Sequence, residues 1–171
     1  MLNGFLQAQH VWLSAQLKGV DRDVTPWVVL ELHRPMYNNE DYGADYDTGI
    51  RIRASLEPLL LDHQVDLVLA GHYHSYLRSS RIANDTAQPA SSSAPYHFTI
   101  GSAGALLDSA GAIADKDWRL HFEDTFGYGR ITVANRTHMH WEFIRVSSSN
   151  VTTPTPHPTV GDSTWIVKPN A

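Results

Sequence analysis

The sequence predicts an α/β chain, a βαβ unit followed by antiparallel strands. Two apolar runs carry that expectation. Trp27-Val28-Val29-Leu30 follows Pro26 and continues through Glu31-Leu32 to His33, and Val65-Asp66-Leu67-Val68-Leu69-Ala70 ends at Gly71. Short, nearly continuous apolar runs are how strands buried on both faces read. Between them, Ile52, Leu56, Leu59, Leu60 and His63 recur at helical spacing from Gly49 to Gln64. Strand, helix, strand in that order implies parallel pairing.

The remaining elements follow in chain order. Val11, Trp12, Ala15 and Leu17 stand at near-helical spacing between Gln7 and Lys18, and Gly19 ends that first helix. Residues 34–48 read as an acidic, tyrosine-rich loop, and Glu40, Asp41, Asp45 and Asp47 within it as solvated side chains. Pro58 predicts a kink in the second helix. Residues 86–95 (TAQPASSSAP) read as a flexible surface excursion. His97 to Ile100 reads as a strand entering a tight turn at Gly101-Ser102-Ala103-Gly104. Trp118, Phe122 and Phe126 are assigned to core packing. Tyr128 to Ala134 and Thr137 to Val146 are the antiparallel pair. The second alternates His138, His140 and Glu142 against Met139, Trp141 and Phe143, so its histidines belong to an exposed polar face. Residues 147–160 are Ser/Thr/Pro-rich and expected to be extended and poorly ordered, with Trp165-Ile166-Val167 as a candidate edge strand. This divides the chain into 1–146 and a tail, 147–171.

Composition limits the chemistry. The chain has 171 residues, 42% hydrophobic and 18% charged, enough for one packed domain. With 13 Lys and Arg against 18 Asp and Glu, the net charge is −5, and no basic cluster suits nucleic acid or an anionic membrane surface. No apolar run approaches the roughly 18 residues of a membrane span. Cysteine is absent, which excludes disulfides, thiolate metal sites and cysteine nucleophiles. Any transition-metal site must therefore come from the ten histidines and the carboxylates. Asn84, Asn135 and Asn150 each open an N-x-Thr glycosylation sequon, which favours a secretory origin, although residues 1–16 lack the pattern of a signal peptide.

Both apolar runs end in histidine, the first at His33 and the second in Gly71-His72-Tyr73-His74. Open α/β sheets place ligands beyond the carboxyl ends of their strands. A His-x-His pair in extended chain puts both rings on one side. Three imidazoles converging on one rim would bind Zn, Fe or Mn. Against this stands a plainer reading, a strand-end hydrogen bond at His33 and a polar turn at His72–His74.

Gly71-His72-Tyr73-His74-Ser75-Tyr76-Leu77-Arg78 resembles the Gly-His-x-His-x-Tyr-x-Arg segment of purple acid phosphatases, members of the calcineurin-like metallophosphoesterases. Leu30-Glu31-Leu32-His33 is similar to the family's Val-x-x-His, and Gly127-Tyr128-Gly129-Arg130 with Asn135-Arg136-Thr137 to its C-terminal strands. The resemblance covers most of residues 7–146. It implies part of an αββα sandwich and an acid phosphatase that cleaves small phosphate monoesters. It also implies two metal ions, one iron and the other divalent zinc, iron or manganese. His33 and His72 would bind the divalent ion and His74 the ferric one. Arg34, Tyr37 and Tyr42 are the candidates for phosphate contact, and no residue is assigned as proton donor.

The family's first three metal motifs, which supply the bridging Asp, a second Asp, a Tyr and an Asn, do not occur in the 32 residues before His33. The expectation is a C-terminal part of a catalytic domain, weakly active or inactive alone, with an open sheet edge and exposed apolar surface. Two alternatives remain: an inactive metal-binding remnant or interaction module, and a phosphodiesterase or nucleotidase of the same superfamily.

Overall fold

The computed structural model describes residues 4–38, 40, 43–108, 116–146 and 158–169. Among the described residues two helices and nine strands follow one another as α1 (Gly4–Lys18), β1 (Val29–Leu32), α2 (Ala44–Asp62), β2 (Leu67–Ala70), β3 (Tyr76–Ala83), β4 (Thr86–Ala87), β5 (Tyr96–Ile100), β6 (Arg119–Glu123), β7 (Gly127–Val133), β8 (His138–Arg145) and β9 (Thr159–Val167).

The βαβ unit forms as expected. β1 pairs in parallel with β2, from Val29 against Leu67 to Leu32 against Ala70, with α2 as the crossover. β2 pairs in parallel with β5, and β3 lies antiparallel to both β5 and β6. The first sheet thus runs β1-β2-β5-β3-β4, with β6 also on β3. β7, β8 and β9 make a separate antiparallel sheet.

Strand alternation divides the core. Val68 points to the helix side, where it packs with Leu13 and Leu17 of α1, Leu60 of α2, and Leu77 and Trp118. Its neighbour Leu67 points the other way and packs with Tyr76 and Phe98 against Met139, Trp141, Phe143 and Ile166 of the second sheet. The result is three layers, helices on sheet on sheet, a mixed α/β arrangement with antiparallel strands.

Several expectations are corrected. In α1 the buried positions are Leu13 and Leu17, one turn apart, while Val11 and Trp12 are 63% and 61% exposed. α2 starts at Ala44, five residues earlier than the apolar spacing suggested, because Asp45 and Asp47 suit the positive end of the helix dipole. Pro58 sits inside α2 on an exposed face, and the carbonyl it frees belongs to exposed Ala54, where water can bond it. Residues 86–95 are tied down rather than free. Thr86 and Ala87 pair with β3, and buried Ala94 accepts a 2.7 Å hydrogen bond from Arg81. The last strand spans Thr159–Val167, longer than the three residues expected, and pairs with β8 along its length.

Among the described residues β1 has a strand neighbour on one side only. Beside that open edge a cavity of about 510 Å³ lies between α1 and α2, with Trp12, Leu30, Leu32 and His33 in its wall.

Candidate metal centre

Parallel register brings the two histidine-bearing strand ends together. Leu32 lies opposite Ala70, so His33 and Gly71 are the next neighbours, and the Gly71 N–H donates to the His33 carbonyl at 3.1 Å. His72 follows with φ +68°, a left-handed backbone that a residue with a Cβ adopts at an energetic cost. That turn swings its ring against His33. The ring centroids are 5.0 Å apart, edge to face, and His72 Nδ1 lies 3.1 Å from His33 Nε2.

The other nitrogen of His72 is contested. Nε2 stands 2.8 Å from the Arg34 guanidinium and 3.1 Å from Asp45 Oδ2, while Arg34 also bonds Asp45. Arginine only donates, so Nε2 accepts from Arg34 when bare and donates to Asp45 when protonated. The hydrogen bond from Arg34, with that of His72 behind it, holds the Asp45 carboxyl below the usual carboxylate range. Gly49 permits this assembly. A Cβ there would meet the Pro35 carbonyl at 2.8 Å, so only glycine lets α2 lie this close to the His33–Met36 segment.

His74 goes elsewhere. Its N–H donates to Asp108 Oδ2 at 2.5 Å, and its Nδ1 lies 2.7 Å from the Leu106 carbonyl and 3.8 Å from Asp108 Oδ1. Among the described residues His33 and His72 are in ring contact, while His74 is held by Asp108 and Leu106. The left-handed turn at His72 breaks the alternation on which the His-x-His expectation rested. Among the described residues no group of three or more His, Asp or Glu side chains converges closely enough to hold a metal ion. The pair itself fits one. Nitrogens 3.1 Å apart are at a separation that two imidazoles bound at about 2.0–2.1 Å to a single ion can have.

Of the phosphate candidates, Arg34 lies at this site. Tyr37 is buried, its hydroxyl donating to Glu57 and accepting from the Asp85 N–H, and it belongs to the helix-side core. Tyr42 lies outside the described residues. Asn84 and Asn135 are exposed, and Asn150 lies outside the described residues.

Asp45 and Glu40, expected as solvated loop side chains, and Asp108, to which the sequence assigned no role, are neighbours of the site. Glu40 is buried, not solvated. Its Oε1 accepts from Ser75 Oγ at 2.6 Å, anchoring the loop beside His74, and burial raises its carboxyl pKa. The signal for Asp45 was its acidity at a helix start; spacing held none for Glu40 or Asp108.

Two family descriptions match the chain, "Calcineurin-like phosphoesterase" over residues 2–76 and "Iron/zinc purple acid phosphatase-like protein C" over 94–153. Purple acid phosphatase 18 of Arabidopsis thaliana is 34% identical over 160 residues, covering 92% of this chain. The Fe(3+)-Zn(2+) purple acid phosphatase 12 of the same plant is 32% identical over 177 residues, covering 96%.

The chain belongs to the purple acid phosphatase family. It spans about a third of the length of these relatives, 34% and 35%. Its fold matches a purple acid phosphatase isolated from yellow lupin (Lupinus luteus) seeds with a TM-score of 0.77 at 21% identity, over 94% of this chain and 28% of that one. Among the described residues no helix is long and apolar enough to cross a membrane.

Proposed function

We propose that this chain is the C-terminal part of a metal-dependent acid phosphatase that hydrolyses phosphate monoesters at a two-metal site. One observation carries the reading: His33 Nε2 and His72 Nδ1 face each other at 3.1 Å across the ends of two parallel strands. In this reading residues 1–146 belong to that part, and β9 (Thr159–Val167) adds to its second sheet.

In this reading His33 and His72 hold a divalent ion, and His74 holds iron once a further part of the protein supplies carboxylates. One relative is named an Fe(3+)-Zn(2+) enzyme, which supports iron with zinc. Such ions polarise a phosphate ester and acidify a bound water. The chain's own residues do the rest. Asp45 accepts the hydrogen bond of His72 Nε2–H and holds the proton on that nitrogen, which leaves Nδ1 free to ligate. Arg34, paired with Asp45 at the same rim, is the cation for substrate phosphate. Exposed Asn84 and Asn135, with Asn150, carry glycans in a secreted protein.

A second reading is favoured by His74, which faces Asp108 and Leu106 rather than the pair. In it the chain binds one ion and turns nothing over. The deciding assay is p-nitrophenyl phosphate hydrolysis in mildly acidic buffer with iron and zinc, by the chain alone and with the first two-thirds of a relative added. Turnover above a His72→Ala control supports the first reading. No turnover in either mixture leaves the second.

A further inference from the structure

We propose that a cavity at the opposite end of the first sheet binds a small tetrahedral oxyanion. It lies where β2 and β5 begin, about 13 Å of strand away from the histidine rim at the end of β2. Its volume is about 310 Å³, and Gln64, Asp66, Arg81, Ser91, Ser93 and Lys168 line it. That is roughly ten times the ~30 Å³ share of one liquid water, room for an oxyanion and some of its hydration.

The charge of the wall points to the ligand. Asp66 is already saturated. Its Oδ1 accepts from Lys168 at 2.7 Å, and its Oδ2 from Arg22 at 2.7 Å and from the Val28 N–H at 2.8 Å. Lys168 is also held over the Trp27 ring, 4.6 Å from its centroid, so its charge stays at the cavity wall. With Arg81, the wall carries two cations against this one carboxylate, and Arg22 adds a third on the far side of Asp66.

Arg81 is the independent observation. It is only 2% exposed, yet its hydrogen-bond acceptors are neutral, the Ala94 carbonyl at 2.7 Å and the Val167 carbonyl at 2.6 Å. The guanidinium lies over the Tyr96 ring, 4.8 Å from its centroid, but its Nε has no hydrogen-bond partner and among the described residues it forms no ion pair. A buried guanidinium without a counter-ion is costly, and an anion in the adjoining cavity relieves that cost. Ser91 and Ser93 add hydroxyl donors, and Lys168 keeps ammonium protons beyond the one given to Asp66. A tetrahedral oxyanion matches this donor-rich wall.

The experiment titrates the 171-residue chain with inorganic phosphate at constant ionic strength balanced by chloride. It follows backbone amide resonances and binding heat. The expected result is saturable shifts at Ser91, Ser93 and Lys168. Affinity, read at those three amides, falls about tenfold or more in Lys168→Gln and in the Ser91→Ala/Ser93→Ala double variant. Shifts that never saturate, or wild-type affinity in both cavity variants, would each overturn the proposal. If Lys168→Gln does not fold, the serine pair, on a surface loop, decides the outcome.

Discussion

His72 Nδ1 lies 3.1 Å from His33 Nε2, across the carboxyl ends of two strands whose register is fixed by the parallel pairing of Leu32 with Ala70. The pair is a product of sheet geometry. His33→Ala or His72→Ala should therefore weaken cobalt or zinc binding by the isolated chain about tenfold or more, read by calorimetry. His74→Ala should change it by less than about threefold, since His74 is engaged with Leu106 and Asp108. Equal losses in all three variants would mean that the rings converge after all.

Asp45 acts through His72. Only a protonated Nε2 leaves Nδ1 with a lone pair for a metal, and Asp45 Oδ2, 3.1 Å away, is the acceptor that favours that form. Asp45→Asn should weaken cobalt binding about 10–100-fold, the usual effect of losing such a partner. The His72 tautomer, read from long-range nitrogen–proton correlations of the metal-free chain, should shift toward Nδ1–H. An unchanged tautomer would show that Arg34 and Asp45 do not compete for Nε2.

Gly101 supports the histidine loop from beneath. A Cβ there would run into the Tyr73 carbonyl, between the two histidines of the motif. Gly101→Ala should displace residues 72–74 and reduce both melting temperature and cobalt affinity. A variant with wild-type affinity would show that the loop yields without moving His72.

The parts legible in the sequence are those governed by local pattern. Leu67 and Val68 are both buried, one on each face of β2, so that strand reads as one apolar run. Met139, Trp141 and Phe143 alternate with polar neighbours because β8 buries one face only. β3 was illegible because Arg78, Ser79, Ser80 and Arg81 look like loop. Arg78 is accommodated by Asp162, 84 residues away, and Arg81 by the Val167 carbonyl, 86 away. The His33–His72 contact could be read from two strand ends. The position of His74 could not, because it depends on the left-handed turn at His72 and on Asp108, 34 residues downstream.

Asp162 joins the two sheets. It accepts from Tyr76 Oη at 2.7 Å and from both Nε and Nη2 of Arg78, at 2.6 and 3.0 Å. Burial alone would raise its carboxyl pKa, but the bonds from Arg78 and Tyr76 outweigh that and hold it below the usual carboxylate range. Removing it strands a half-buried guanidinium, so Asp162→Ala should cost about 3–5 kcal/mol in denaturant unfolding at neutral pH. A folded-state pKa below the unfolded one contributes stability above the ordinary carboxylate range and loses it as acid protonates the native state. The gap between wild type and variant should therefore close below about pH 4. A gap that persists in acid would assign the loss to packing.

His97 makes the opposite contribution to the acid limb. It is fully buried in β5, edge-on to Tyr37 with centroids 4.8 Å apart, and burial, aided by the Arg53 charge, pushes its pKa down to about 3. The imidazole is neutral in the folded chain, while in the unfolded chain it takes up a proton below about pH 6.5. The unfolded state then binds more protons, so stability is complete above about pH 6.5 and falls from there toward pH 3. One proton corresponds to about 1.4 kcal/mol per pH unit. His97→Phe, which keeps an aromatic ring beside Tyr37 and cannot titrate, should flatten that slope between about pH 6 and 4 while the Asp162 contribution at lower pH remains. Parallel wild-type and variant curves across that window would show that His97 is protonated in the folded chain.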